Sequence, residues 1–188
     1  MSVDERSCGT CSLCCKLLKI PPLDKPTGEW CAHCVPGKGC GIYDARPEAC
    51  RSFRCGWLDR PELEDWWNPQ RSGIILWLLP KLRQLVIDVE PSRPDAWRRQ
   101  PYYDRIKLWA RRPSSDYMYV IVYVGRRAFA VFPDQELDLG VLAEDEVPVL
   151  GYATRGAYRH PAAKILGRDP ANALIVGRAS PAGAPTRD

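Results

Sequence analysis

The chain has 188 residues and a mass of 21.3 kDa, which suffices for one domain with a modest core and is too little for two full-sized domains. Hydrophobic residues make up 45% and charged residues 27%, with a formal net charge of +4, and this balance excludes a wholly disordered chain. All nine cysteines lie between Cys8 and Cys55, so they belong to one local site.

The cellular compartment decides what these cysteines can be. No apolar stretch of signal-peptide length precedes Cys8, and the longest apolar runs, at 74–79 and 117–124, fall far short of the ~20 residues that cross a bilayer. We therefore expect a cytoplasmic protein with no membrane partner. In a reducing cytosol, closely spaced cysteines are more often metal ligands or redox groups than disulfides, and an odd count leaves one thiol over.

The first cysteine group is C-x2-C-x2-C-C and comprises Cys8, Cys11, Cys14 and Cys15. Three cysteines at successive x2 spacings allow a chain to wrap one inorganic centre, as in bacterial ferredoxins, with a fourth ligand supplied from further along the chain. Side chains of adjacent residues diverge, so we do not expect Cys14 and Cys15 to bind the same ion. One of them would serve a second site or simply pack.

The second group lies further along the chain and comprises Cys31, Cys34, Cys40, Cys50 and Cys55. The four cysteines at 11, 14, 31 and 34 have the spacing of a four-cysteine zinc site, so zinc competes with an iron-sulfur cluster. His33 could replace a cysteine as a ligand, although a surface histidine is the commoner case. Nine thiols are enough for two four-ligand centres, or for one such centre with five thiols that bind no metal. Their spacing does not show which cysteines would bind which centre.

The stretch 39–53 completes a recognisable pattern, G-C-x-I-Y-x-x-R-P-x-x-C-R-x-F. Together with C-x2-C-x2-C-C, it resembles the YkgJ-type cysteine-cluster family, which is described as a zinc- or iron-chelating domain. The match covers residues 8 to about 57. The resemblance implies chelation by Cys8, Cys11, Cys14, Cys15, Cys40 and Cys50, with Cys31 or Cys34 as a further ligand. A similar box occurs in flagellin lysine methylases, which keeps an enzymatic interpretation open.

The remainder of the chain predicts a small α+β body. Apolar runs on either side of a Pro80 turn predict one hairpin, those around Gly125 predict a second, a helix is expected from Pro101 to Arg111, and 147–152 could add an edge strand. We therefore predict a cysteine-rich metal-binding module with little regular structure, packed on an antiparallel-sheet-plus-helix body. The expected boundaries are 1–58 for the module, 59–178 for the body and 179–188 for a flexible tail.

Charge is unevenly distributed over the body. The stretch 91–112 has five more basic than acidic side chains, whereas 134–152 has six acidic side chains and no basic one. Blocks of opposite sign can face one another within one fold, so a basic stretch alone is a weak nucleic-acid signal. We do not expect a nucleic-acid partner, although a nucleic-acid- or ribosome-binding module stays as an alternative. It would use Arg98, Arg99, Arg105, Arg111 and Arg112 together with Tyr102, Tyr103 and Trp109.

The favoured hypothesis is a cytosolic metal-binding protein that holds a 4Fe-4S cluster and has a redox, sensing or structural role with an unidentified protein or redox partner. One alternative is a zinc-binding structural or interaction protein. Another is a methylase-like, protein-modifying enzyme with a substrate cleft beside the cysteines, for which the sequence identifies no catalytic residue. The arginines at 46, 51 and 54 would offset thiolate charge at the centre, or else form solvated ion pairs with Asp44 or Glu48.

Overall fold

A computed structural model describes residues 6–155 and 157–167, and the predicted tail at 179–188 lies outside them. The fold is α+β, with a five-stranded sheet, two separate two-stranded sheets and mostly short helices. The helices are α1 (Leu13–Leu17), α2 (Glu48–Arg51), α3 (Gly56–Asp59), α4 (Pro69–Ser72) and α5 (Tyr102–Arg111). The strands are β1 (Cys34–Val35), β2 (Gly39–Cys40), β3 (Ile74–Leu79), β4 (Gln84–Val89), β5 (Tyr119–Val124), β6 (Arg127–Val131), β7 (Glu136–Val141), β8 (Val147–Arg155) and β9 (Tyr158–Leu166).

The large sheet has the strand order β3-β4-β5-β6-β7. Both predicted hairpins are confirmed, since β3 pairs antiparallel with β4 and β5 pairs antiparallel with β6. The expectation of a wholly antiparallel sheet is wrong, because β4 and β5 run parallel. The chain leaves β4, passes through α5 and returns along the neighbouring strand in the same direction, which is the connection that a parallel pair requires.

The two faces of this sheet bury different apolar clusters. Ile74 and Ile75 follow one another on β3 and therefore point to opposite faces. Ile74 packs with Ile106 of α5 and the surrounding tryptophans. Ile75 packs instead with Leu17 of α1 and with Cys55, both from the cysteine-rich part of the chain. The cysteine segment thus contributes side chains to the apolar cluster on one face of the sheet.

The predicted edge strand at 147–152 is present as part of β8, but it does not join the large sheet. β8 pairs only with β9 among the described residues and forms a separate two-stranded sheet. Pro148 near its start lacks the amide hydrogen that a sheet ladder uses. Its carbonyl instead accepts a hydrogen bond of 2.7 Å from Nε2 of Gln84, a fully buried residue of β4.

The oppositely charged stretches meet at one point in the fold. Arg98 forms an ion pair with Glu136 across 2.7 Å, and the hydroxyl of Tyr103 donates to the other oxygen of the same carboxylate, also across 2.7 Å. Arg105 of the basic stretch pairs with Glu64.

In the part of the chain that the structure describes, no helix has the length and apolar character needed to cross a bilayer.

Candidate metal centre

The first four cysteines lie on a tight turn and the short helix that follows it. The amide of Cys11 donates to the carbonyl of Cys8 across 2.8 Å, and α1 then carries Cys14 and Cys15. Consecutive residues of an α-helix point ~100° apart, yet the thiols of Cys14 and Cys15 reach one another and form a hydrogen bond, so the expectation that these two side chains diverge is wrong. Leu13 and Leu17 of the same helix are buried against the sheet, and this contact fixes the orientation of α1.

The loop after α1 folds back over the helix and carries Cys31 to Cys15. The amide of Cys31 donates to the carbonyl of Cys15 across 2.9 Å, and the amide of Gly28 donates to the carbonyl of Leu17. Lys25 is only 5% exposed, which is unusual because the charged ammonium of a lysine normally lies in solvent. Its ammonium donates to three backbone carbonyls, those of Lys16, Leu18 and Pro26. The bonds to Lys16 and Leu18 attach the loop to the end of α1, and we call this attachment the Lys25 clasp.

The later cysteines are held by equally short elements. Cys34 and Cys40 stand opposite one another in the β1–β2 pair, and the amide of Cys34 donates to the carbonyl of Cys31 across 3.0 Å. Cys50 lies in α2, which begins directly after Pro47. Cys55 is buried immediately before α3, and its carbonyl accepts hydrogen bonds from the first turn of that helix.

These elements bring eight of the nine cysteines to the wall of a single cavity of about 80 Å³. Its other walls are mainly apolar and include Ile42, Phe53, Trp57 and Ile75. Cys34 is the ninth cysteine and does not line the cavity, and none of the nine is in a disulfide. The cysteines that line it are Cys8, Cys11, Cys14, Cys15, Cys31, Cys40, Cys50 and Cys55.

Burial keeps several of these thiols protonated. It raises the pKa of Cys11, Cys50 and Cys55, and neighbouring thiols raise each of them further. The pKa of Cys15 is raised first by its hydrogen bond with the Cys14 thiol and then by burial. Burial raises the pKa of Cys34 to about 11. A metal that binds here must therefore displace protons from the thiols.

Three basic side chains lie near the thiols, and only one of them, Arg46, was expected. Arg46 lines the cavity and lowers the pKa of Cys50 against the larger effect of burial. Arg51 instead pairs with Glu48 across 2.9 Å, as the ion-pair alternative predicted. Arg54 pairs with Asp59 across 3.4 Å, a partner that was not predicted.

Lys19 also lines the cavity, whereas Lys25 does not line it but lies close enough to the thiols to be affected by their charge, and neither lysine was predicted. Burial lowers the pKa of Lys25 to about 8, and the thiols of Cys31, Cys15 and Cys14 act in the opposite direction. A lysine that follows Asp24 and precedes Pro26 carries no signal of burial in the sequence, because only the folded loop encloses it.

The chemistry of the donors decides which metals the site fits. Thiols are soft ligands that suit zinc and iron-sulfur clusters, and the cavity gathers eight of them without a carboxylate. His33 is exposed and does not line the cavity, and His160 is exposed on β9. As the side chains stand, no three Cys, His, Asp or Glu residues of 6–155 and 157–167 are arranged to hold a metal ion. The chemistry of the donor set fits a soft metal.

A second cavity of about 420 Å³ adjoins the cysteine segment and shares Phe53 with the first. Arg105, Glu64 and Tyr117 are among its polar lining residues. One carboxylate oxygen of Glu64 accepts a hydrogen bond from Arg105, whereas the other is buried without a hydrogen-bond partner in the described part of the chain. A polar cleft therefore lies beside the cysteines.

No family model, no curated protein and no solved structure matches this chain. The resemblance to the YkgJ-type family therefore stays a prediction that rests on the cysteine spacing and on the motif at 39–53.

Proposed function

We propose that this chain is a metal-binding protein whose cysteine-rich module, predicted at 1–58, holds a 4Fe-4S cluster in a redox, sensing or structural role. The observation that carries the proposal is the single cavity lined by eight thiols, none of them in a disulfide. Such a cluster would supply one-electron redox chemistry, or act as a structural cross-link, between residues that are far apart in the sequence.

Two features support a cluster over zinc. The turn at Cys8 and Cys11 runs directly into α1, so three cysteines at x2 spacing come from one compact stretch, as cubane ligation prefers. The cavity wall also includes large apolar side chains such as Phe53 and Trp57, which limit the access of solvent to a redox centre. Zinc stays the alternative, because its tetrahedral four-thiolate site uses the same donors.

Metal analysis of protein purified without oxygen tests the proposal. We expect brown protein with a broad visible absorbance band and with iron and acid-labile sulfide in equal amounts. Colourless protein with stoichiometric zinc would contradict the cluster and support the zinc alternative. Protein that carries no metal, and takes up neither zinc nor iron with sulfide after reduction, would contradict both.

A protein-modifying enzyme is the second candidate, and the adjoining cavity favours it. A cleft with a buried carboxylate oxygen beside a cysteine cavity is the arrangement that this hypothesis needs. Because the resemblance includes methylases, equilibrium dialysis with S-adenosylmethionine is the direct test. Binding by the wild-type protein that is lost in Glu64→Gln, and retained in the control Glu144→Gln, which is exposed and does not line this cavity, would support an enzyme. Absence of binding would remove the methylase-like candidate.

A further inference from the structure

We propose that the outer face of the β8–β9 hairpin binds single-stranded nucleic acid, a function separate from the metal centre. The two strands pair with one another and form a ribbon that does not join the large sheet among the described residues. The sequence has no acidic residue between positions 147 and 167. We call the outer surface of this hairpin the ribbon face, and its basic and aromatic members are Arg155, Tyr158, His160 and Lys164.

The register of the hairpin decides which side chains share a face. Directly opposed residues of an antiparallel pair lie on the same side, and successive residues of a strand alternate between sides. Leu150 and its partner Ala163 pack into the apolar cluster on one face of the large sheet. The ribbon face is the opposite side of the hairpin, and all four of its basic and aromatic members are exposed.

The protein does not neutralise the cations of the ribbon face. Arg155 and Lys164 form no ion pair with a carboxylate in the part of the chain that the structure describes. In the basic stretch 91–112, by contrast, Arg98 is paired with Glu136. The expectation of no nucleic-acid partner concerned that stretch, and the ribbon lies outside it. Unpaired cations on one exposed face attract a phosphate backbone.

The path between these cations is open. Gly151 and Ala162 oppose one another on the ribbon face, and a Cβ atom added to Gly151 would meet no atom within 4 Å. Tyr158 and Lys164 are separated along β9 by ~20 Å, at ~3.3 Å per residue. Tyr158 is 80% exposed, so its ring is uncovered. This arrangement suits a single strand, because an unpaired base can stack on the ring while the phosphates contact the cations.

Fluorescence anisotropy of the intact chain with labelled oligothymidylate tests the proposal. Two cations that contact phosphates should give a slope of about −1.4 for the logarithm of the binding constant against the logarithm of the salt concentration. The same strand paired with oligoadenylate should bind more weakly near physiological salt, because paired bases cannot stack on Tyr158.

Four variants and one control locate the site. Arg155→Gln and Lys164→Gln should each reduce the steepness of the salt slope by about 0.7. Tyr158→Ser should weaken binding by at least about fivefold through lost stacking. Gly151→Leu places a side chain in the open path and should weaken binding severalfold without changing any charge. Arg112→Gln is the control, because it removes an exposed arginine at the end of α5 and should bind like the wild type.

Several outcomes would overturn the proposal. No binding at low salt is one, and affinity for the duplex or for polyglutamate equal to that for the single strand is another. An equal loss in Arg112→Gln would move the site to the basic stretch 91–112. Circular dichroism checks that each variant is folded, and Arg155→Gln, which changes an exposed side chain, keeps the test decisive if Gly151→Leu unfolds. The metal content of the protein is measured separately, so a negative result here leaves the proposed metal-binding function intact.

Discussion

The amide of Cys31 donates a hydrogen bond of 2.9 Å to the carbonyl of Cys15, so the backbone itself brings these two cysteines together. The contact depends on the loop between them, which the buried ammonium of Lys25 ties to the end of α1. Because the backbone already holds these ligands close together, the entropic cost of ordering them around a metal is lower. The loop is therefore as much a part of the site as the thiols.

Lys25→Met tests the role of that clasp. The substitution leaves three backbone carbonyls without their donor, and we expect the metal-free protein to lose about 1–3 kcal/mol of unfolding free energy in urea. Cys31, which is 5% exposed, should become accessible to alkylation. Lys164→Met is the control, because Lys164 is exposed on β9 and does not line the thiol cavity. Equal losses in the two variants, with Cys31 still protected, would contradict the clasp.

Substitutions at Ile74 and Ile75 can be compared to test whether packing of the sheet affects metal binding by the cysteines. Both are almost fully buried, so Ile74→Ala and Ile75→Ala should each cost about 2–5 kcal/mol of stability. Only Ile75 lines the thiol cavity, so only its replacement should weaken zinc binding in a chelator competition. Equal zinc affinities in the two variants would show that the sheet supports the fold without shaping the site.

Arg46 and Arg51 allow a similar comparison of charge at the site. Arg46 acts on the thiol of Cys50, whereas Arg51 is paired with Glu48 on the surface. Arg46→Gln should raise the pKa of Cys50 further above its ordinary value and slow its alkylation severalfold near neutral pH. Arg51→Gln should leave the rate unchanged. A slower rate in both variants would mean that general positive charge, and not the position of Arg46, acts on this thiol.

The hairpins were predictable because their apolar runs and turn residues are local signals. The direction of the β4–β5 pair was not, because a strand pattern carries no information on whether the chain returns from α5 parallel or antiparallel. β8 was predicted in part, because its length was set by pairing with β9 and not by its own hydrophobicity.

The candidate site likewise has features that the sequence predicts and features that only the fold determines. Spacing predicted one site from all nine cysteines, and eight of them line one cavity. It could not single out Cys34 as the thiol outside the cavity, because the β1–β2 pair and the cavity wall exist only in three dimensions. Lys25 went unnoticed for a similar reason, since its burial comes from hydrogen bonds to carbonyls, which every residue has.

In the metal-free protein, the alkylation rate of Cys34 and its contribution to stability should both depend on pH. Burial raises its pKa from 9.0 to about 11, so at pH 8 its thiolate fraction, and hence its alkylation rate, should be about 100-fold below that of an ordinary cysteine. Because the folded pKa lies above the unfolded value, this thiol contributes stability that is fully present below pH 9.0 and is lost as the pH rises toward about 11. Peptide mass spectrometry after timed iodoacetamide treatment measures the rate at Cys34, with the urea-unfolded chain as the reference. A rate equal to that of the unfolded chain at pH 8 would contradict the burial of this thiol.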